Sequence, residues 1–308
     1  MELFAPSYYQ EFTCIADRCR HSCCIGWEID VDEDTLDAYE GLTSDIGKRI
    51  LQSIDLDGCP HFRLSAGERC PHLDEGGLCR IILTLGEDYL CDICREHPRF
   101  YHLTPHGMEV GLGMACEEAC RLILSHEAYW NFSKVGEVGG ENSFADFDAS
   151  LPRGRIYEIL SDKSCPYPER LARLYATYGV TPGVCSDADW RRLLASLEYL
   201  DEEHRSLFGC YSLSVCVPCE HEVLLERALA YFIFRHCSDA LDEDAFSASL
   251  GVAFFFERLL ASMIAAREGC TVAETLTFAR ILSEELEYSE ENTEAVRCRF
   301  SSENEARF

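Results

Sequence analysis

The sequence lacks the segments that direct a chain into or across a membrane. Its N-terminus, MELFAPSYYQEF, has no basic residues ahead of an apolar run. No stretch of about 18 uninterrupted apolar residues, the length of a membrane span, occurs in the chain. Both absences argue against secretion and against membrane insertion, and they predict a cytoplasmic protein. In a reducing cytoplasm, clustered cysteines are more often metal ligands or redox groups than disulfides.

Basic residues, and lysine in particular, are scarce. The 308 residues include 27 basic and 55 acidic side chains, for a formal net charge of −28, and only Lys48, Lys134 and Lys163 are lysines. This charge argues against nucleic-acid binding, which depends on Lys and Arg contacts to phosphate. A basic or lysine-presenting partner suits the chain better, although an acidic surface also serves solubility alone.

Two signatures of nucleotide and radical enzymes are missing. The motif C-x3-C-x2-C, typical of radical chemistry with S-adenosylmethionine, is absent, because Gly26 stands where a third cysteine would follow Cys19 and Cys23. The segment GLG at 111–113 is too short for a glycine-rich dinucleotide loop. Residue patterns alone therefore lead to a metal-binding module and to no particular reaction.

Cysteine is abundant. Eleven of the 19 cysteines, and seven of the ten histidines, precede residue 127. The C-x2-C spacing of a tight zinc knuckle occurs only at 91–94 and 216–219. The other early cysteines are dispersed, which favours an iron–sulfur cluster, since a cluster accepts thiolates from separated loops. Zinc is the alternative, and both are favoured over plain buried thiols.

The pattern predicts a mainly α fold in three parts. We expect a cysteine-rich metal or iron–sulfur module with short β-hairpins at 1–130, a linker or long loop at 131–152, and an α-helical bundle at 153–308. The linker is rich in Gly, Ser and Asp. The C-terminal part has apolar residues at three- and four-residue spacing in five segments, which are 168–179, 187–200, 220–237, 245–269 and 271–287.

Local signals place the elements of the first part. The run DEDTLDAYEGLTSDIGKRILQSI predicts one or two helices, capped by Asp32 and Thr43. The run RFYHLTPHGMEVGLGMA predicts a hairpin that turns at 105–107. The cysteines then fall on loops and element ends, where separate segments can converge on one site.

Several cysteine-containing runs, taken in order, resemble the flagellin lysine-N-methylase family. They are YYQEFTCIADRCRHSCCIGWEIDVD, RCPHLDEGGLCRI, LGEDYLCDICREHPRF and MACEEACRLIL. The N-terminal part of that family is similar to cysteine-rich zinc- or iron-chelating domains. The resemblance is strongest over the first 126 residues and extends more weakly into the helical part.

The resemblance implies transfer of methyl groups from S-adenosylmethionine to surface lysines of flagellin, with a 4Fe–4S cluster held by N-terminal cysteines. The positions that match the family's cysteines are Cys14, Cys19, Cys23, Cys24, Cys70, Cys79, Cys94 and Cys116. Eight thiols exceed the four that one cubane cluster needs, and the sequence does not sort them. Cys91 and Cys120 lie beside matched positions and are interpreted as incidental.

Other residues near the thiols are candidates for supporting roles. Trp27 is expected to shield the metal or to pack as a core aromatic, and Arg99 to bind cluster sulfides or a cofactor carboxylate or to form a structural ion pair. Four histidines are weaker ligand candidates, and three tyrosines and one glutamate could take the proton of the lysine ammonium. These two sets are His21, His61, His72 and His97, and Tyr8, Tyr9, Tyr89 and Glu28.

An alternative function remains open from the sequence. The chain could be a non-catalytic iron–sulfur or zinc module that carries electrons or chelates metal, or a methylase of a substrate other than flagellin. The missing nucleotide signatures favour this alternative, and the extent of the resemblance favours the flagellin methylase.

Overall fold

The computed structural model describes residues 1–128, 130–142 and 146–301, and about 52% of the chain is helical. The prediction of a mainly α fold is therefore confirmed. The chain forms two compact units. The cysteine unit comprises Thr13–Phe100 and Cys116–Glu118, and the helical unit comprises Met1–Phe12, Tyr101–Ala115 and the described residues of Ala119–Phe308.

The described residues form six strands and thirteen α-helices. The strands are β1 (Glu2–Pro6), β2 (Ile54–Asp55), β3 (His61–Phe62), β4 (Arg99–Thr104), β5 (Gly107–Leu112) and β6 (Phe132–Glu137). The helices are α1 (Glu33–Glu40), α2 (Asp45–Ser53), α3 (Arg80–Leu85), α4 (Asp92–Glu96), α5 (Glu117–Ser125), α6 (Ser150–Ser161), α7 (Tyr167–Tyr178), α8 (Asp187–Ser196), α9 (Arg205–Phe208), α10 (Cys219–Cys237), α11 (Glu243–Ala266), α12 (Val272–Leu282) and α13 (Glu290–Arg297). A π-helical turn, Ser283–Glu287, follows α12.

A four-stranded sheet in the order β4-β5-β1-β6 joins the N-terminus to later segments. Strand β1 pairs in parallel with β5 and antiparallel with β6. The hairpin predicted at 105–107 is confirmed as the turn between β4 and β5. This pairing explains why the compact units differ from the predicted 1–130, 131–152 and 153–308 parts. Backbone hydrogen bonds assign residues 1–12 to the helical unit, and β6 occupies part of the predicted linker.

The capping signals largely give the correct helix starts. Asp32 accepts a hydrogen bond from the backbone N–H of Thr35 and caps α1, as predicted. Helix α2 is capped by Ser44, one residue after the predicted Thr43, because the Ser44 hydroxyl reaches the N–H of Gly47. All five C-terminal segments with helical spacing contain a helix, α7, α8, α10, α11 and α12.

Helix α11 is the centre of the helical unit. Its length and composition match those of a membrane span, yet 89% of its most apolar window is buried inside the protein. Aromatic rings cover one part of it, since Trp190 and Tyr211 lie 4.3 and 5.1 Å from the ring of Phe255. A helix that is apolar all round and buried by its neighbours is the core helix of a large domain.

Gly113 has a packing role. A Cβ at this position would lie 2.0 Å from the Tyr288 hydroxyl, closer than any side chain tolerates. The glycine that ends the GLG segment therefore permits close contact of the backbone with a tyrosine. This packing contact explains why a glycine occupies position 113, and no nucleotide-binding role is needed to explain it.

The helical unit also buries charge. The guanidinium of Arg153 donates to both carboxylate oxygens of Glu109, one of them at 2.7 Å, and to the hydroxyl of Ser238. Both charged side chains are less than a tenth exposed. The pair joins β5 to α6, which are far apart in sequence. Loss of one partner would leave the other charge buried and unpaired, which is costly in a low-dielectric interior.

We predict that Glu109→Gln lowers the free energy of unfolding by about 3–5 kcal/mol, the usual cost of breaking a buried ion pair. Denaturant unfolding followed by circular dichroism measures the change. The matched control is Glu137→Gln, because Glu137 pairs with Lys134 on the exposed side of the same sheet. The control should leave the midpoint unchanged, and equal effects of the two substitutions would contradict the role assigned to the buried pair.

Candidate metal centre

Five cysteines lie in the apolar core of the cysteine unit. Cys70 and Cys91 are fully part of this core, and Cys24, Cys79 and Cys94 pack against it half-buried. We call these five residues the core thiols. Their neighbours are aliphatic and aromatic side chains from α1, α2 and the short strands β2 and β3. Sulfur therefore takes much of the volume that hydrocarbon fills in an ordinary core.

Short backbone contacts bring the core thiols together. The N–H of Cys70 donates to the carbonyl of Cys24 at 2.8 Å, which joins two segments that are far apart in sequence. A β-bridge between Leu73 and Cys79 closes the loop that runs from Cys70 to Cys79. The N–H of Cys94 donates to the carbonyl of Cys91 at 3.0 Å at the start of α4. Three loops thus deliver their cysteines to one place, as the dispersed spacing predicts.

Cys91 belongs to this group, although the sequence interpretation treats it as incidental. Its side chain is 1% exposed, and its sulfur lies 3.8 Å from the hydroxyl of Tyr39. That hydroxyl also donates to the carbonyl of Tyr89 at 2.6 Å. The C-x2-C spacing with Cys94 is the signal that could have identified Cys91, since such a turn aims two sulfurs at one point.

The other four matched cysteines form a second, more exposed group in the same unit. We call Cys14, Cys19, Cys23 and Cys116 the outer thiols. Cys14 and Cys23 are exposed, and Cys19 and Cys116 are half-buried. The hydrogen bond with Cys24 and burial raise the pKa of Cys23, and the nearby Cys116 and Cys14 raise it further. Burial raises the pKa of Cys19, and Cys14 adds to this shift.

A salt bridge fixes the two ends of the outer group. Arg20 donates from Nε and Nη2 to one oxygen of Glu117 at 3.1 and 3.0 Å, and its backbone N–H donates to the other oxygen at 2.9 Å. The Cys19 sulfur lies 3.8 Å from that second oxygen. Because Arg20 follows Cys19 and Glu117 follows Cys116, this salt bridge joins the two segments that carry these cysteines. Sequence analysis missed Glu117, for which an acidic residue beside a matched cysteine was the available signal.

Two pairs of neighbouring thiols are hydrogen-bonded to each other. The S–H of Cys23 donates to Cys24, and this hydrogen bond lowers the pKa of Cys24 to about 7 although burial opposes it. In the same way, the hydrogen bond from Cys94 lowers the pKa of Cys91. Each pair thus has one sulfur prepared to be a thiolate, the form that binds metal.

Burial affects the remaining core thiols in the opposite direction. Burial raises the pKa of Cys70 to about 12, partly offset by hydrogen bonds from the backbone at His72 and Leu73. Burial also raises the pKa of Cys79, again offset by the backbone at Ile81 and Ile82. A metal cation would remove the desolvation cost of the thiolates, and the amide hydrogen bonds would remain as donors to sulfur.

The spacing of the thiols bears on the choice of metal. In a tetrahedral zinc site, with Zn–S of about 2.3 Å, the sulfurs lie about 3.8 Å apart. Among the described residues, no three cysteines bring their sulfurs within 4.8 Å of one another. A cubane cluster binds each thiolate through a different iron and so accepts wider spacing. A thiol-only donor set is one that both a four-cysteine zinc site and an iron–sulfur cluster use.

A different trio meets the 4.8 Å distance. His204, Glu284 and Glu285 do so in the helical unit. Their oxygens are already used, because Glu285 accepts from the ring of His204 at 2.6 Å and from the backbone at 200–201, and Glu284 pairs with Arg280 at 2.7 Å. Hydrogen bonding within the protein accounts for this trio.

The expected cofactor contacts and histidines lie in the cysteine unit. Trp27 is half-buried, and the half-buried Arg99 donates from Nη1 to the carbonyl of Arg95 at 3.1 Å. His72 is buried and hydrogen-bonds with Ser53 at 2.9 Å, while His61 hydrogen-bonds with the carbonyl of Cys59. Burial lowers the pKa of His72 and of His97 to about 4 in each case.

Cysteines of the helical unit have other surroundings. Cys120 and Cys237 are buried among its apolar side chains, and the Cys120 sulfur lies 3.5 Å from the carbonyl of Leu276. Apolar packing therefore accounts for both of these residues. Among the described residues, the nine core and outer thiols all lie in the cysteine unit, and no comparable group is seen in the helical unit.

Comparison with known proteins gives three curated relatives. The lysine-N-methylases of Salmonella typhimurium and Salmonella choleraesuis are each 32% identical to the chain over 127 residues, which is 39% of this chain and 32% of theirs. The flagellar biosynthetic protein FliU of Salmonella muenchen is 31% identical over 127 residues, again 39% of this chain and 75% of FliU.

The matched region spans about a third of the length of the two lysine-N-methylases and three quarters of FliU. No protein-family model and no solved structure matches the chain. The identity to FliU over most of its length agrees with the resemblance carried by the cysteine-containing runs, so the chain belongs to the flagellin lysine-N-methylase family.

Proposed function

We propose that the protein is an S-adenosylmethionine-dependent protein-lysine N-methyltransferase that acts on surface lysines of flagellin and carries an iron–sulfur cluster in its cysteine unit. The observation that supports this most is membership of the lysine-N-methylase family together with nine thiols gathered in one compact unit. We expect this work to take place in the cytoplasm.

The reaction sets a requirement on the lysine. Its ammonium group, with an ordinary pKa of about 10.4, has no lone pair and must lose a proton before its nitrogen can attack. S-adenosylmethionine supplies the methyl group, so the new N–C bond forms as the C–S bond of the donor breaks. Trp27 and Arg99 are the proposed contacts to the donor or to the cluster.

The candidate proton acceptors differ in accessibility. Tyr8 is 2% exposed in the helical unit, and burial raises its pKa above the ordinary value, which makes it a poor acceptor for an incoming lysine. Tyr9 and Tyr89 are half-buried, and Glu28 is exposed in the cysteine unit. Of the four, Glu28 is the side chain that a protein substrate reaches most directly.

The charge of the chain supports a lysine-rich partner. With a net charge of −28, the protein attracts cationic side chains over several ångströms and repels nucleic acid. It also carries few lysines that could compete as substrates. All three are exposed, and each pairs with an acidic side chain: Lys48 with Asp45, Lys134 with Glu2 and Lys163 with Glu226.

We predict methylation of flagellin lysines by the full chain purified without oxygen. The protein is incubated with labelled S-adenosylmethionine and flagellin of the same organism, with and without reductant, and the products are mapped by mass spectrometry. Label should appear on surface lysines of flagellin. Flagellin with acetylated lysines is the control, and self-methylation is recognised because the chain has only three lysines.

Two other outcomes would change this proposal. Absence of label under both conditions, together with no measurable binding of S-adenosylmethionine, would favour a non-catalytic iron–sulfur or zinc module. Label on a protein other than flagellin would keep the reaction and change the substrate.

We predict that the anaerobic protein is brown and contains iron and acid-labile sulfide. Cys24→Ala/Cys70→Ala should remove at least about half of the iron, because only three core thiols remain and a cubane cluster needs four thiolates. The control is Cys237→Ala, which deletes a buried sulfur in the helical unit and should leave the iron content unchanged. Colourless protein with stoichiometric zinc would contradict the proposed cofactor.

A further inference from the structure

We propose that the cysteine unit holds two separate iron–sulfur clusters, one bound by the core thiols and one bound by the outer thiols. This inference rests on the iron–sulfur part of the proposed function and extends it from one cluster to two. The reason is the surplus of ligands: the sequence matches eight cysteines, the structure adds Cys91, and one cubane cluster needs four. The structure divides the nine into a group of five and a group of four.

Burial divides the two groups. All five core thiols belong to the apolar cluster that includes Tyr39 and Phe62, whereas none of the outer thiols does. Two of the outer thiols, Cys14 and Cys23, are exposed to solvent. The core group is therefore less accessible to water than the outer group.

The division falls between two adjacent residues. Cys24 is half-buried and packs on the core, and its carbonyl accepts from the N–H of Cys70 at 2.8 Å. Cys23, the preceding residue, is more exposed and lies outside the apolar core, although its S–H donates to the sulfur of Cys24. A single site of four thiols would not need adjacent cysteines in different surroundings. Two neighbouring sites would, because Cys24 then binds the core cluster and Cys23 the outer cluster.

Each group is held by contacts of its own. The core thiols are joined by the backbone bonds of Cys24 to Cys70 and of Cys91 to Cys94. The outer group is joined by the clamp between Arg20 and Glu117, which draws together segments nearly a hundred positions apart in sequence. A clamp of this kind at an exposed site has a purpose if Cys19 and Cys116 must bind the same cluster.

The two clusters should differ in reactivity. Solvent exposure and hydrogen bonds to sulfur are among the factors that set the potential of a cluster. The outer cluster is accessible to oxygen and chelators, while the core cluster is enclosed and its sulfurs accept backbone hydrogen bonds. We therefore expect the outer cluster to be lost first on exposure to air, with the core cluster retained.

Metal content and spectroscopy of the full anaerobic chain test the proposal. Two cubane clusters correspond to roughly eight iron and eight sulfide per chain. The double variant Cys14→Ser/Cys23→Ser changes two exposed residues. The hydroxyl introduced at position 23 can still donate a hydrogen bond to the Cys24 sulfur, so the fold should persist. It should halve the iron and sulfide, and the reduced protein should lose one of two electron paramagnetic resonance signals.

The matched control is Cys59→Ser/Cys216→Ser, which changes two exposed cysteines outside both groups and should leave both signals unchanged. A second variant, Cys70→Ala/Cys91→Ala, should remove the core signal, because only three core thiols remain and a cubane cluster needs four. If it also unfolds the cysteine unit, the exposed double variant still decides the matter.

Three results would overturn the proposal. They are about four iron in the parent protein that the exposed double variant leaves intact, about four iron that this variant abolishes, and zinc in place of iron. Metal counting is independent of methyl transfer. A methylase with about four iron would refute the second cluster and leave the proposed reaction standing, and eight iron without methyl transfer would do the reverse.

Discussion

The cysteine unit depends on the placement of sulfur where other domains place hydrocarbon. Cys70 and Cys91 are almost completely buried, and three further thiols pack beside them. A neutral thiol is easily buried, but a thiolate removed from water is costly unless a cation shares its charge. The fold therefore tolerates these sulfurs either protonated or bound to metal. Metal binding and the stability of this unit are linked for that reason.

Local chain geometry makes this arrangement feasible. Gly26 follows the Cys23–Cys24 pair with a φ of +83°, a conformation that glycine adopts without strain. The N–H of Gly26 also donates to the carbonyl of Glu68 at 3.0 Å, which brings the first cysteine segment beside the second. The residue that removes the C-x3-C-x2-C motif thus has a structural purpose. It turns the chain after the cysteine pair and places this segment beside Glu68.

The helical unit is stabilised by ordinary hydrocarbon packing with a few buried charges placed between distant elements. Helix α11 supplies the apolar centre, and Arg153 with Glu109 links the sheet to α6. The buried Glu257 similarly receives hydrogen bonds from Tyr167 and Arg258. Such pairs add little net stability relative to apolar residues, but an incorrect packing would leave a charge unpaired. The unit is thereby restricted to one arrangement without using its cysteines.

The sequence by itself determined most of the secondary structure, the presence of a cysteine-rich part and the family. Helix periodicity and caps such as Asp32 are local signals, and the family is indicated by the cysteine-containing runs and by 31% identity to FliU over 127 residues. The division of the cysteines and the boundaries of the units were decided only by tertiary structure. Spacing does not show that Cys24 packs inward while Cys23 remains exposed, that Cys91 is a core thiol, or that Arg20 binds Glu117. Nor does it show that β1 pairs with β5 and β6. These facts depend on contacts between segments far apart in the chain, and such contacts leave no periodic signal in a single sequence.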